Sequence, residues 1–558
     1  MTDRHSPVDD LAHRLWEGIL ELNPTTATFY GDDRYADRLE DPSPAGRAKA
    51  RALMAGAAAE AAAIPVEGLS TEDRITRDTI QVMGELAVEE DDEGLHQLRV
   101  VDQMGGPQQL LPQLTQFQPV DTPERLEAFI SRLHAYPAFM AANADILREA
   151  LGTGLTAPAI VTERVIAQLE RMLAIPVDQA IVPSMVQGAS DAARARITEI
   201  VRDVVYPADA AFLDVLRGDY RHASREDPGI WSAPTGDTMY RTLIRSWTSL
   251  DMEPQRIHDI GLEELESIEA ERRVIAQAAG FGEDTAAYRR ALDAEPGNTP
   301  ATKDELVARA EEDIERAMAA APTAFGTLPR SGLGVRPVED YKEKDAPFAY
   351  YYPPAADGSR DGIYYANGYD LPSRKYSKLA STTYHEAAPG HHFQIALEME
   401  NPRLNTFRRL GARSVAGAYV EGWGLYSERL ADELGLYRTE GERFGMLDAQ
   451  AWRAARLVVD TGMHALRWDR QRSIDTLLTA GLSETDAVIE TDRYICWPAQ
   501  ALTYKLGQRQ IQSLRAELTA RDGARFDLRR FHDELLGHGS LPLATLAREL
   551  PTWVAEPV

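Results

Sequence analysis

The stretch Tyr384-His385-Glu386-Ala387-Ala388-Pro389-Gly390-His391-His392 decides how the rest of the chain is read. It places three imidazoles and a carboxylate within eight residues, in a protein with 12 His. A His-Glu pair followed within two turns by further His is the raw material of a zinc hydrolase helix. In such a helix neutral imidazoles hold the ion and the carboxylate handles a proton. The spacing departs from H-E-x-x-H, because Pro389 stands four residues after His385. On a straight helix His392 would share the face of His385 but lie roughly 10 Å further along the axis. That is too far for one ion with bonds of about 2.0–2.1 Å. His391 would point off the face. Pro389 lacks a backbone donor and crowds the preceding turn, and Gly390 tolerates unusual dihedrals. A break at this pair is therefore predicted, drawing a later His back toward His385. His391 is the favoured second ligand and His392 its rival.

A zinc hydrolase site needs a third protein ligand and one open position. The chain has one cysteine, Cys496, so no disulfide framework forms within it and the ligands must be His and carboxylate. Glu421 is the best candidate. It follows His391 after 29 intervening residues, a length that suits a loop and a helical return. Its neighbours Tyr419, Val420, Trp423 and Leu425 are apolar, and a buried Glu calls for a cationic partner. Gly417, Gly422 and Gly424 would let its helix approach the first one closely. Further along, His464 is a candidate second donor or partner of a ligand, with Asp460 one turn earlier to orient it. Arg453 and Arg456 are candidates for holding a substrate carboxylate, with Lys505 and Arg509 as comparable ones.

Upstream, the texture changes between Thr327 and Lys378. Helical period is lost and aromatics cluster at Tyr341, Phe348, Tyr350, Tyr351, Tyr352, Tyr364, Tyr365 and Tyr369. Phe348 to Tyr352 and Gly362 to Asn367 read as two short strands around the turn Asp357-Gly358-Ser359-Arg360. An edge strand beside a metal could pair with an extended substrate; a plain structural hairpin is the equal alternative.

The remainder reads as helix. Val8, Leu11, Leu15, Ile19 and Leu22 mark one buried stripe, and Asn23-Pro24 stops it. Ser70 caps a helix running through Glu90, and Thr122-Pro123 opens another. Pro254 to Ala279 and Lys303 to Ala320 are amphipathic helices. The turn-rich segment Gly218 to Thr238 suggests an N-terminal helical subdomain over 1–220 and a catalytic helical subdomain over 221–558, sharing a cleft. The net charge of −28 argues against nucleic acid and against anionic membrane surfaces. It agrees with cationic or neutral substrates. No apolar run approaches a membrane span, and the polar start carries no signal region, so a cytoplasmic location is expected.

The ordered series His385-Glu386-x-x-Pro389-Gly390-His391-His392-x-Gln394, then Val420-Glu421-Gly422-Trp423-Gly424-Leu425-Tyr426, resembles the family known as DUF885. Asn367, the run Arg456 to His464 and the run Pro498 to Gln508 match as well. The resemblance covers the C-terminal half firmly and the N-terminal half through its helical character. This family is grouped with mainly α zincin-like metallopeptidases of the M3 and M32 kind. The resemblance thus implies a large, clam-like helical architecture with a small hairpin or sheet next to the active-site helix. It implies His385, His391 and Glu421 as ligands of one Zn²⁺ per chain, and Glu386 as general base. Helical zinc peptidases commonly aim a phenol at the oxyanion, which nominates Tyr504. Asn367, His392, Arg456 and Lys505 are then candidates for substrate binding. The expected activity is zinc-dependent hydrolysis of short peptides or related amides, of carboxypeptidase or oligopeptidase type. The alternatives are the same metal chemistry on a specialised small metabolite, or a non-catalytic metal-binding helical protein. The oligomeric state stays open.

Overall fold

The computed structural model describes residues 6–338, 343, 347–354 and 360–555. The principal helices are α1 (Pro7–Leu22), α2 (Pro44–Ala63), α3 (Thr71–Asp92), α4 (Pro123–Thr153), α5 (Gly236–Thr248), α6 (Pro254–Ala278) and α7 (Lys303–Ala320). Three strands follow: β1 (Leu333–Pro337), β2 (Ala349–Tyr352) and β3 (Gly362–Ala366). After them come α8 (Tyr376–Glu386), α9 (His391–Glu400), α10 (Gly417–Glu433), α11 (Glu440–His464), α12 (Glu484–Cys496) and α13 (Thr503–Asp522). The protein is mainly α, as its periodicity predicts. Helix starts follow local chemistry: the hydroxyls of Ser70 and Thr122 accept from the N–H groups of Asp73 and Arg125, and prolines occupy the first helical position of α1, α2, α4 and α6.

The strands form one small sheet in the order β1-β3-β2. The expected pair β2/β3 is antiparallel, with Tyr350 opposite Tyr365. β1 was not anticipated and pairs parallel with β3. Tyr341 and the turn residues Asp357, Gly358 and Ser359 lie outside the described residues. β2 is an edge strand among the described residues and packs against α8, so the sheet adjoins the motif helix.

Four apolar clusters hold the helices together. The first surrounds the motif and contains Tyr384, Ala387, Ala388, Phe393 and Trp423. A second joins Val100 to Tyr220 with Ala455, Val458, Val459 and Tyr494. A third joins Leu95 and Leu155 to Leu243, Ile257 and Leu506. The fourth packs α1 to α3 against Phe407 and Ala412. Each of the last three draws on residues from both sides of position 220.

Close helix crossings bring the site together. A side chain on Gly507 of α13 would overlap the Ala418 carbonyl of α10, and a Cβ on Gly422 would lie 2.5 Å from the Gly507 Cα. Gly445 of α11 lies equally close to the Ser377 carbonyl of α8. These contacts draw α10, α11 and α13 around α8.

Candidate metal centre

The helix breaks where Pro389 and Gly390 require it. α8 ends at Glu386 and α9 starts at His391, with Ala387 (φ −103°, ψ −110°) and Gly390 (φ −78°, ψ −126°) outside helical values. Gly390 is needed because a Cβ there would overlap the carbonyl oxygens of His385 and Tyr384. The carbonyls freed by the break are satisfied from α10: the Trp423 indole N–H donates to Pro389 O (3.1 Å) and Gly390 O (3.0 Å). Trp423 is fully buried. Trp423→Phe keeps one aromatic ring but removes the pyrrole ring that carries this donor, leaving buried carbonyls poorly satisfied, which costs about 1–3 kcal/mol. The expected outcome is a lowered thermal midpoint with loss of metal affinity, read by calorimetry and metal titration.

The break turns His391, not His392, toward His385. The two rings meet edge to face with centroids 4.8 Å apart. His392 points the other way, where its Nδ1 bonds to the Tyr351 hydroxyl (2.9 Å) under the sheet. Burial pulls its pKa down to about 4.

Glu421 closes the group. Its Oε2 lies 3.5 Å from His385 Nε2 and 3.6 Å from His391 Nε2. These separations form no hydrogen bond, and among the described residues the buried Oε2 has no hydrogen-bond partner. They are close to the roughly 3.3–3.4 Å edge of a tetrahedral shell with bonds of about 2.0–2.1 Å. Two imidazole nitrogens and one carboxylate oxygen converging in this way are a His₂Glu donor set, which suits zinc. Ligand atoms of His385, Glu386 and His391 also lie within 4.8 Å of one another. Side-chain exposure rises from 2% at His385 to 10% at His391 and 23% at Glu421, so the group opens to solvent on the Glu421 side. Gly424 makes room for the first imidazole: a Cβ there would sit 2.6 Å from His385 Nε2.

Glu428 completes the arrangement and escaped the sequence reading. It is fully buried, and His385 Nδ1–H donates to its Oε1 (2.9 Å). That bond orients the ring and leaves Nε2 facing Glu421 and His391. Ser381 and Gln450 donate to the other Glu428 oxygen. Burial disfavours the charged imidazole, but Glu421 and Glu428 outweigh it and push the His385 pKa up to about 9. Burial likewise raises the Glu421 carboxyl, yet His385 and His391 hold it well below the ordinary range. The sequence signal for Glu428 was its place seven residues after Glu421, two turns along one face.

The remaining candidates separate clearly. Glu386 is half-buried and, among the described residues, makes no hydrogen bond or ion pair, so its carboxylate is uncommitted beside the cluster. The Tyr504 ring stacks on His385 at 6.2 Å, and the Arg456 guanidinium covers it at 4.3 Å. Arg456 is buried and bonds to Tyr494 and Glu490. Lys505, next to Tyr504 in the chain, is buried, donating to Gln450 and Gln508, and burial draws its pKa down to about 8. Asn367, just after β3, donates to the Glu343 and Pro347 carbonyls and ties the end of β3 to the chain ahead of β2. His464 has no free nitrogen: the Ile230 N–H donates to Nδ1, and Nε2–H donates to the Tyr494 carbonyl.

Asp460 does not orient His464. It accepts from the Tyr240 hydroxyl (2.6 Å) and the Ala499 N–H (3.0 Å), pinning Ala499 in a left-handed conformation at φ 69°. Burial pushes its pKa up to about 7, against both donors. The folded state therefore holds this proton more tightly than the unfolded chain. Its contribution is complete below about pH 4 and is lost as pH rises toward 7, a change of roughly 4 kcal/mol at 1.36 kcal/mol per unit. Asp460→Asn keeps an acceptor and removes the titration. The variant is expected to lose much less stability than the wild type between pH 4.5 and 7.5 in denaturant unfolding.

A family model described as "Bacterial protein of unknown function (DUF885)" matches residues 24–550. A solved structure of a proposed lipoprotein from Colwellia psychrerythraea is 29% identical and superposes with a TM-score of 0.91, covering 98% of both chains. A proposed lipoprotein of unknown function from Shewanella oneidensis is 19% identical, with a TM-score of 0.78, covering 96% of this chain and 98% of that one; it shares the fold. No curated protein sequence matches. Among the described residues no helix is long and apolar enough to cross a membrane.

Proposed function

For a chain that belongs to the DUF885 family of bacterial proteins of unknown function, we propose a zinc-dependent hydrolase of zincin type that cleaves short peptides or related amide bonds. The observation that carries this reading is the convergence of His385 Nε2, His391 Nε2 and the otherwise partnerless Glu421 Oε2. Those three residues would hold the ion. When bound, Zn²⁺ supplies Lewis acidity and brings the pKa of water toward about 7. The protein's own groups do the rest. Glu428 keeps His385 in one tautomer through Nδ1. Glu386, uncommitted and one residue from His385, takes a proton at its carboxylate and returns it to the leaving amine. Tyr504, whose hydroxyl has no hydrogen bond among the described residues, donates to the carbonyl oxygen as charge develops there. Its position against His385 and Arg456 limits where that hydroxyl can reach. The edge of β2 beside α8 offers backbone groups to an extended substrate.

The test joins elemental analysis of purified protein to a peptide-library digest. About one zinc per chain with defined cleavage products supports the reading. A protein that takes up no divalent metal ends it, and a metal-loaded protein that cleaves no peptide redirects it to another substrate.

A further inference from the structure

Arg453 stands out among the buried charges. It is 9% exposed, yet among the described residues its hydrogen bonding is confined to one long contact within its own helix, Nη1 to the Ala449 carbonyl at 3.4 Å. Among the described residues no carboxylate lies within ion-pair distance, and its buried Nε–H meets no acceptor. The guanidinium rests on the Trp452 ring at 4.2 Å. Its charge is felt at Glu428, but that carboxylate is already taken by His385, Ser381 and Gln450. Arg456, three residues on, bonds to Tyr494 and Glu490, and its buried Nη1 meets no acceptor among the described residues. Arg493 beside Glu490 also keeps an unfilled Nε. One carboxylate, Glu490, thus pairs with two of three clustered cations.

Buried guanidinium groups with unfilled N–H donors destabilise a fold unless an anion completes them. The place is telling. Gln450, one turn before Arg453, holds Glu428, and the Tyr504 ring lies between Arg456 (4.3 Å) and His385 (6.2 Å). One to three residues of extended peptide, at roughly 3.3–3.6 Å each, span such a gap. We propose that Arg453, with Arg456, receives the terminal carboxylate of the substrate. The protein would then release residues from the C-terminal end of short peptides. This rests on the hydrolase reading and narrows it: the planar guanidinium takes a carboxylate through two parallel N–H bonds.

The experiment is calorimetric binding to the full chain carrying Glu386→Gln, which slows turnover by the factor expected of a lost proton-transfer group. Three probes are compared: N-acetyl-alanyl-alanine, its C-terminal amide, and N-acetyl-alanyl-glutamate with the terminus amidated. The free acid is expected to bind at least tenfold tighter than either amide. Adding Arg453→Gln should shrink that gap below threefold without lowering the thermal midpoint, while Arg453→Lys keeps part of it. Equal binding of acid and amides, no binding of any probe, or a gap untouched by Arg453→Gln overturns the subsite. Preference for the glutamyl amide also overturns it, placing the anion on a substrate side chain. Metal content and the digest are read separately, so a loaded enzyme that cleaves amidated peptides equally well removes this subsite and leaves the hydrolase standing.

Discussion

Replacing Glu386 by glutamine is expected to leave one metal ion per chain and to lower turnover by about 10²–10⁴-fold, the usual contribution of a positioned proton-transfer group. Gln has nearly the same shape, and among the described residues Glu386 makes no hydrogen bond or ion pair that the change would break. Folding and metal content should therefore be unaffected, and KM should move little. Glu386 also lies in the group whose ligand atoms fall within 4.8 Å of one another. The variant therefore separates two roles. A metal ligand would be weakened by the amide, and the ion would be lost with the activity. A proton carrier loses only turnover. The geometry favours the second role, because His385 and Glu386 are consecutive and their side chains leave the helix about 100° apart. Elemental analysis of the purified variant, with rates on the best peptide from the library digest, decides between them. Full activity in the glutamine variant would remove Glu386 from the mechanism.

The parts of this site that were legible in the sequence are those set by local chemistry. Pro389 and Gly390 forbid a continuous helix, so the break between α8 and α9 could be anticipated from two residues. Glu421 was legible because a carboxylate amid Tyr419, Trp423 and Leu425 needs a partner. Glu428 sits in a similar setting, with Tyr426 and Leu430 near it, but nothing local distinguishes a ligand from the residue that holds the ligand. His464 and Lys505 are the converse. Their chemistry suggested function, but contacts distant in sequence, to Ile230 and Tyr494 in one case and to Gln450 in the other, commit them to structure. β1 escaped notice because parallel pairing with β3 depends on no local turn, only on distant register. The same distance rule explains Asp460: its helix was legible, but its partners Tyr240 and Ala499 come from other parts of the chain.

The two adjacent histidines give the sharpest contrast. His391→Ala is expected to abolish stoichiometric metal binding, and His392→Ala to preserve it. His391 Nε2 lies 3.6 Å from the shared Glu421 oxygen, and removing it leaves two protein ligands, too few for a stable zinc site. His392 has its Nδ1 committed to Tyr351 and lies beneath the sheet. Its loss leaves the half-buried Tyr351 phenol without this partner and opens a small cavity, which costs about 1–3 kcal/mol of stability. The outcomes are thus opposite in kind: one variant is metal-free, the other metal-loaded and less stable. Elemental analysis and thermal unfolding, with and without added zinc, read both. Zinc should raise the midpoint of His392→Ala, since a ligand that binds only the folded state stabilises it by mass action, and should leave His391→Ala unmoved. Metal retained in His391→Ala would mean that the break at Pro389-Gly390 serves packing alone, and the convergence on Glu421 would then lose its functional meaning.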